Sequence, residues 1–144
     1  MNVLAGPFRI NDDATPRILL VEDDPRQVDL YVKLLARAGA EVVAVADGMQ
    51  AIELVVTGAS FDLFLIDLTL PQVNGLSVTR TIRTKGCTTP IIGITAYSSE
   101  AVRRAWLRAG CNRFLAKPLR EDVLLDEVAA MLTLSSERRA AFSV

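Results

Sequence analysis

Apolar residues recur along the chain in two alternating patterns, short unbroken runs and longer segments with helical spacing. Five runs have the length and composition of buried strands: RILLV (17–21), EVVAVA (41–46), LFLI (63–66), PIIGIT (90–95) and RFLA (113–116). Apolar positions three or four residues apart predict a helix after each run, over about 27–38, 49–56, 74–86, 100–109 and 120–132. This alternation favours a parallel sheet covered on both faces, which right-handed crossovers make doubly wound.

Polar side chains stand at the ends of four of these strands. Glu22 and Asp23 follow the first strand, Asp67 ends the third, Thr95 the fourth, and Lys117 follows the fifth. In a doubly wound sheet the carboxyl ends of the strands form the functional crevice. Crowded carboxylates repel one another unless a cation joins them, and oxygen ligands without His or Cys suit Mg²⁺. The pattern predicts a Mg²⁺ site, with Asp67 as the oxygen left to react.

Each of these residues also has a purely structural interpretation. Taken alone, Asp67 could cap a loop in solvent, Thr95 could be an ordinary strand residue, and Lys117 could be a surface lysine. An ionised carboxylate at the end of an apolar strand is costly unless a cation lies beside it, so the two interpretations differ in their surroundings. Asp24 is expected to cap the first helix in a variant of the capping box with Gln27, outside the metal site.

Composition excludes several classes of function. The chain of 144 residues fits one domain, and its net charge of −1 gives no basic excess for direct binding of nucleic acid. The absence of His excludes Ser-His-Asp and Cys-His catalysis and every metal site that uses His. No apolar run approaches the roughly 18 residues that span a bilayer, and the N-terminus lacks the pattern of an export signal. We therefore expect a cytoplasmic protein with no membrane partner and with Cys87 and Cys111 as reduced thiols.

Four motifs occur together, in order: ILLVEDDP, FDLFLIDLTLPQVNG, IIGITAY and FLAKPL. With them the chain closely resembles the receiver domain of two-component response regulators over roughly residues 17–132. The resemblance implies a flavodoxin-like, five-stranded parallel sheet of strand order 2-1-3-4-5 with five helices. We accordingly divide the chain into a flexible N-terminal extension (1–15), a receiver domain (16–134) and a C-terminal tail (135–144) that frays.

The resemblance also implies the metal site and the reactive residue. Asp67 corresponds to the aspartate that accepts a phosphoryl group from a histidine kinase. Glu22 and Asp23 correspond to the acidic pair that holds Mg²⁺, with Asp23 the more direct ligand. Asp67 itself and the backbone carbonyl of Thr69 complete the metal ligands that the family would use.

The switch residues follow from the same resemblance. Thr95 corresponds to the hydroxyl that moves to meet the phosphoryl group, and Lys117 to the lysine that pairs with it. Phe114 occupies the position of the switch aromatic, where Tyr is frequent, and so lacks a hydroxyl. Pro118 matches a proline that often follows a cis bond. Trp106 lies on the apolar stripe of its helix, where the family usually has a small residue.

The function predicted from these residues is a phosphoacceptor receiver that transmits a signal by protein contact. Its only catalysis would be its own phosphorylation and dephosphorylation. Its partner would be a histidine kinase or a histidine phosphotransfer protein, and strand five with its flanking helices could form a homodimer. The chain would be a stand-alone receiver or part of a hybrid histidine kinase.

Two alternatives belong to other classes. A phosphatase of the haloacid dehalogenase type also uses an aspartate at a strand end, but it needs a second Asp where this chain has Thr69. A flavin-binding module needs a phosphate loop rich in Ser, Thr and Gly after the first strand. The acidic EDDPRQ at 22–27 would instead repel a phosphate.

Overall fold

The computed structural model describes residues 15–71, 73–97 and 99–142, which form alternating strands and helices. The strands are β1 (Arg17–Val21), β2 (Glu41–Val45), β3 (Leu63–Asp67), β4 (Ile91–Thr95) and β5 (Arg113–Ala116). The helices are α1 (Pro25–Arg37), α2 (Gly48–Val56), α3 (Gly75–Thr84), α4 (Glu100–Ala109) and α5 (Glu121–Phe142). Each predicted strand and helix is therefore present, with most ends within two residues of the prediction.

The strands form one parallel sheet of order β2-β1-β3-β4-β5. This confirms the predicted doubly wound, flavodoxin-like fold. The order reverses beside β1, which pairs with both β2 and β3. Chain segments that follow β1 and β3 consequently meet at the point where such sheets place their ligands.

Apolar side chains cover both faces of the sheet because successive strand residues point to opposite sides. On one face, Ile18, Leu20, Leu63 and Leu65 pack with α1 and α5. On the other, a second cluster of strand residues packs with α2, α3 and α4: Leu19, Val21, Phe64, Ile66 and Ile91. The central strands β1, β3 and β4 are buried on both faces, which explains why their sequences read as nearly unbroken apolar runs.

Asp24 caps α1 as predicted, since its side chain accepts a hydrogen bond from the Arg26 N–H at 3.0 Å. The other half of the predicted capping box is different. The Asp24 N–H donates to Glu22 Oε2 at 3.2 Å, in the place expected for a bond to Gln27. The cap of α1 thereby fixes the orientation of the Glu22 carboxylate.

The last helix continues to Phe142, ten residues past the predicted end at 132, so the predicted end of this helix was wrong. Leu134 packs against the core and Ser135 is buried, so the sheet-facing side of α5 extends beyond Leu132. The predicted N-terminal extension lies outside the described residues apart from Thr15, as do residues 143–144. The domain boundaries themselves stay a prediction.

Among the described residues, no helix combines the length and the apolar composition that crossing a bilayer requires.

Candidate metal centre at the carboxyl edge of the sheet

The sheet brings the predicted site residues to one edge. Asp67 is the last residue of β3 and Thr95 the last of β4, while Glu22 and Lys117 each directly follow a strand. The strand register aligns these ends, because Val21 pairs with Ile66 on the neighbouring strand. The polar residues therefore project from the carboxyl ends of adjacent strands, as the sequence predicted.

Asp67 lies beside a cation and is only 4 % exposed. Lys117 Nζ donates to Asp67 Oδ2 at 2.7 Å, and the Thr69 N–H donates to Asp67 Oδ1 at 3.0 Å. Lys117 Nζ also lies 3.5 Å from Glu22 Oε1. The buried carboxylate is thus compensated by an ammonium group, and the alternative of a loop cap in solvent does not apply.

Three carboxylates converge at this edge. Glu22, Asp23 and Asp67 each offer one oxygen, and these oxygens lie within 4.8 Å of one another. Glu22 is 2 % exposed, and its Oε1 has no hydrogen-bond partner among the residues that the structure describes. Asp23 is exposed, so the cluster opens to solvent on its side. A buried carboxylate oxygen that accepts no hydrogen bond, in an all-oxygen cluster, fits a hard divalent cation such as Mg²⁺.

The electrostatics of the cluster favour an added cation. Burial raises the pKa of the Glu22 carboxyl to about 7, and the adjacent Asp67 contributes to the rise. Burial lowers the pKa of Lys117, but the bond and the charge of Asp67, with that of Glu22, outweigh this and raise it. Lys117 therefore stays charged. Its single positive charge does not by itself balance the group of carboxylates.

Thr95 and Phe114 occupy the neighbouring strands. Thr95 is fully buried, and its hydroxyl oxygen accepts a hydrogen bond from the Tyr97 N–H at 2.9 Å. The Lys117 N–H donates to the Thr95 carbonyl at 2.7 Å, and a cis peptide joins Lys117 to Pro118. Phe114 is partly buried against the cluster under α2, α3 and α4. The hydroxyl and the aromatic ring therefore lie on adjacent strands.

Two buried aromatic residues near the site were not predicted to have a part in it. Tyr31 of α1 is buried, and the charges of Lys117, Glu22 and Asp67 act on its hydroxyl. Burial raises the pKa of Tyr31. Its helical spacing indicated only a core position. The second is Trp106 of α4. The glycine inside the apolar run PIIGIT was the sequence signal that another group approaches this strand closely.

Comparisons with known proteins agree with this geometry. A family model described as the response regulator receiver domain matches residues 18–129. Two-component response regulator 24 of Arabidopsis thaliana is 33 % identical over 107 residues, 74 % of this chain and 77 % of that protein. YrkP of Bacillus subtilis, an uncharacterized transcriptional regulatory protein, is 39 % identical over 116 residues. That match covers 81 % of this chain and 49 % of YrkP, so the chain spans about half of that relative.

A solved structure with a similar fold contains a metal ion. It is the receiver domain of the sensor histidine kinase PA1611 from Pseudomonas aeruginosa, described as having magnesium coordinated in its active-site cleft. It is 36 % identical to this chain with a TM-score of 0.75, and the match covers 83 % of this chain and 98 % of that one. The family match, the sheet order and the acidic edge lead to one conclusion: this chain belongs to the response regulator receiver domains of two-component signalling.

Proposed function

We propose that this receiver accepts a phosphoryl group on Asp67 from a histidine kinase or a histidine phosphotransfer protein. Glu22, Asp23, Asp67 and the Thr69 carbonyl would hold Mg²⁺ during the transfer. The observation that carries the proposal is the position of Asp67, which touches the Lys117 ammonium at 2.7 Å and shares the 4.8 Å acidic cluster. A nucleophilic oxygen and groups that bind phosphoryl oxygens are thereby combined at one edge of the sheet.

Phosphoryl transfer needs positioning and positive charge more than covalent chemistry. Asp67 supplies the nucleophile. One of its carboxylate oxygens forms a bond to phosphorus as the bond between phosphorus and the donor breaks, and the electron pair of the broken bond stays with the donor. The Thr69 N–H and the Lys117 ammonium hold the carboxylate in one orientation. Mg²⁺, when bound, would neutralise charge on the phosphoryl oxygens. Lys117 would then re-aim from the carboxylate to a phosphoryl oxygen.

The buried Thr95 hydroxyl would act as the sensor of the new group. A phosphoryl group adds negative charge and acceptor oxygens, and Thr95 can donate a hydrogen bond to one of them. That movement takes Thr95 from its contact with the Tyr97 N–H and leaves space that the partly buried Phe114 ring can fill. The surface formed by α4, β5 and α5 would change shape as a two-state switch.

The proposed role is that of a signalling module and not of a phosphatase. Thr69 occupies the position where a haloacid dehalogenase phosphatase needs its second aspartate, and the Thr69 N–H is bonded to Asp67 Oδ1. A neutral hydroxyl there gives poor acid-base help to the hydrolysis of a phosphoester. Release of many phosphates per protein from a monoester would contradict this proposal.

The direct test is incubation with Mg²⁺ and a small phosphodonor such as acetyl phosphate. Intact mass spectrometry should show the addition of one phosphoryl group. Chelation of the metal with EDTA should prevent the addition, because the carboxylates would then repel the donor. Equal incorporation with and without Mg²⁺ would contradict the role of the acidic cluster.

Mg²⁺ should stabilise the folded protein, and Asp23→Asn should weaken this effect. A cation that binds only the folded state raises the melting temperature as its concentration rises. Asp23 is an exposed member of the cluster, so its amide should remove a ligand and leave the metal-free fold intact. Melting curves over a Mg²⁺ series should show a smaller shift for Asp23→Asn than for Asp126→Asn, which changes an exposed carboxylate of α5. Equal shifts would remove Asp23 from the metal site.

Tyr97→Ala should shorten the lifetime of the acyl phosphate more than it changes the yield of phosphorylation. The Tyr97 side chain is 62 % exposed at the rim beside Thr95, where its bulk can limit the access of water. The decay of the phosphorylated mass, followed after the donor is removed, measures this lifetime. Leu107→Ala, at an exposed apolar residue of α4, is the control and should keep the wild-type decay rate. A Tyr97→Ala lifetime equal to that of the control would refute the shielding.

The face formed by α4, β5 and α5 is the proposed contact surface and could also form a homodimer. Three arginines lie on α4, while the first two turns of α5 carry four acidic residues: Glu121, Asp122, Asp126 and Glu127. Opposite charges on the two helices that flank β5 favour association with a second copy. Size-exclusion chromatography with Mg²⁺ and beryllofluoride, a mimic of the acyl phosphate, should show earlier elution than without it. Identical elution would count against a dimer driven by phosphorylation.

A further inference from the structure

Trp106 fills a space that the sheet leaves open beside the site. It is fully buried, and it is the only tryptophan of the chain. A Cβ atom built on Gly93 of β4 would lie 2.8–2.9 Å from three atoms of the indole. The large side chain of α4 therefore requires a residue without a side chain at the centre of β4. A side chain of α4, and not one of β4, therefore fills this part of the core.

The far edge of the same indole reaches the segment that follows Asp67. A Cβ atom on Gly75, the first residue of α3, would lie 2.9 Å from the Trp106 Cη2 atom. The same Cβ would collide with the Asp67 backbone carbonyl. The Gly75 N–H also donates to the Leu68 carbonyl at 2.9 Å. Gly75 is therefore in contact with the backbone of the reactive residue on one side and with α4, through the indole, on the other.

The indole N–H adds a second observation. The Trp106 Nε1 atom is buried and has no hydrogen-bond partner among the described residues. A buried donor without an acceptor is disfavoured, because it has lost its hydrogen bonds to water. A rearrangement of the surrounding backbone that presents an acceptor to this N–H would therefore be favoured. The position is sensitive to small shifts because tightly packed interiors transmit displacement.

We propose that Trp106 is a positioning residue that couples the backbone at Asp67 and Gly75 to helix α4, so that phosphorylation moves α4 through the indole. This inference rests on the proposed function, since it needs a modification at Asp67. The connection runs from β3 through the start of α3 to α4. It is separate from the proposed connection between Thr95 and Phe114. Trp106 does not touch the reacting atoms and acts through Gly75 and Gly93.

Packing alone would give Trp106 a role in stability without any role in coupling. The two interpretations differ in a variant that keeps the core volume and moves it to the strand. Gly93→Leu combined with Trp106→Ala removes the indole and fills the space from β4, a change that cores accept better than a cavity. A purely structural Trp106 predicts a normal response of α4 in this swap variant. A coupling Trp106 predicts a reduced response.

The wild-type protein provides the first measurement, with Mg²⁺ and beryllofluoride as the probe. Fluorine NMR reports whether the adduct forms, and the single indole N–H signal in a proton–nitrogen spectrum reports on Trp106. We expect the adduct to form and the indole signal to shift. An adduct with an unmoved indole signal would overturn the inference alone, whereas absence of an adduct would overturn the proposed function and the inference with it.

The variants provide the second measurement, the amide shifts of residues 100–109 at equal occupancy of the adduct. The swap variant should form the adduct, while its α4 response falls by about twofold or more. Leu107→Ala, which changes an exposed side chain one residue away, should keep the full response. Trp106→Phe retains an aromatic ring and should also give a reduced response, which provides the test if the swap variant does not fold. A full α4 response in either Trp106 variant would overturn the proposal.

Discussion

Asp67→Asn is expected to abolish the incorporation of a phosphoryl group and to reduce it to the background seen without the phosphodonor. Asparagine has nearly the same shape, but its amide is a far weaker nucleophile than a carboxylate. It also removes the negative charge that binds the Lys117 ammonium at 2.7 Å. Intact mass spectrometry after incubation with Mg²⁺ and acetyl phosphate measures the effect.

Asp24→Asn is the matched control for this prediction. Asp24 lies close to the acidic cluster in sequence but caps α1 through its bond to the Arg26 N–H. Asparagine caps helices about as well as aspartate, so the fold should be unchanged. This control should be phosphorylated like the wild type. Modification that persists in Asp67→Asn would assign the nucleophile to another residue.

Lys117→Ala is expected to give a large loss of stability that Mg²⁺ partly reverses. The change leaves Asp67 and Glu22, which are almost fully buried, without their cation. Removing one partner of a buried ion pair costs about 3–5 kcal/mol, and we expect about 2–4 kcal/mol because the Lys117 side chain is 26 % exposed. Urea unfolding at neutral pH, with and without Mg²⁺, measures the free energy of unfolding.

Lys33→Ala removes the same type of side chain from a surface ion pair with Asp29 and is the control for Lys117→Ala. Such exposed pairs contribute at most about 1 kcal/mol, so this variant should lose little stability and show no added dependence on Mg²⁺. Equal losses in the two variants would mean that the Lys117 ammonium does not stabilise the acidic edge. The same conclusion would follow if Mg²⁺ failed to reduce the difference in the free energy of unfolding between Lys117→Ala and the wild type.

The central strands β1, β3 and β4 could be predicted because helices cover them on both faces. Under that condition the positions of β3 from Leu63 to Ile66 are all apolar, and the run ends at the Asp67 carboxylate. Parallel topology then requires the carboxyl ends of the strands to lie at one edge. The sequence alone therefore predicted that Glu22, Asp67 and Lys117 lie close together. The bond between Lys117 and Asp67 needed the structure, since fifty residues separate the two in the chain.

Features that depend on tertiary packing could not be predicted. The sequence after 132 is polar and indicated a tail, but Leu134 and Ser135 lie against the core and continue α5. Trp106 was predicted to be a core residue from its helical stripe, whereas its contacts with Gly93 and Gly75 join three separate elements. Spacing along a helix indicates which residues are buried and gives no information on their partners across the sheet.

The central claim is that Asp67, and no other acid of the edge, becomes the acyl phosphate. Borohydride reduces an acyl phosphate of aspartate to homoserine, and peptide sequencing by mass spectrometry then locates the changed residue. After treatment with Mg²⁺ and acetyl phosphate, we predict homoserine at position 67 and unchanged aspartate at positions 23 and 24. Homoserine at position 23 or 24, or its absence from a protein that has gained phosphate, would contradict the proposed function.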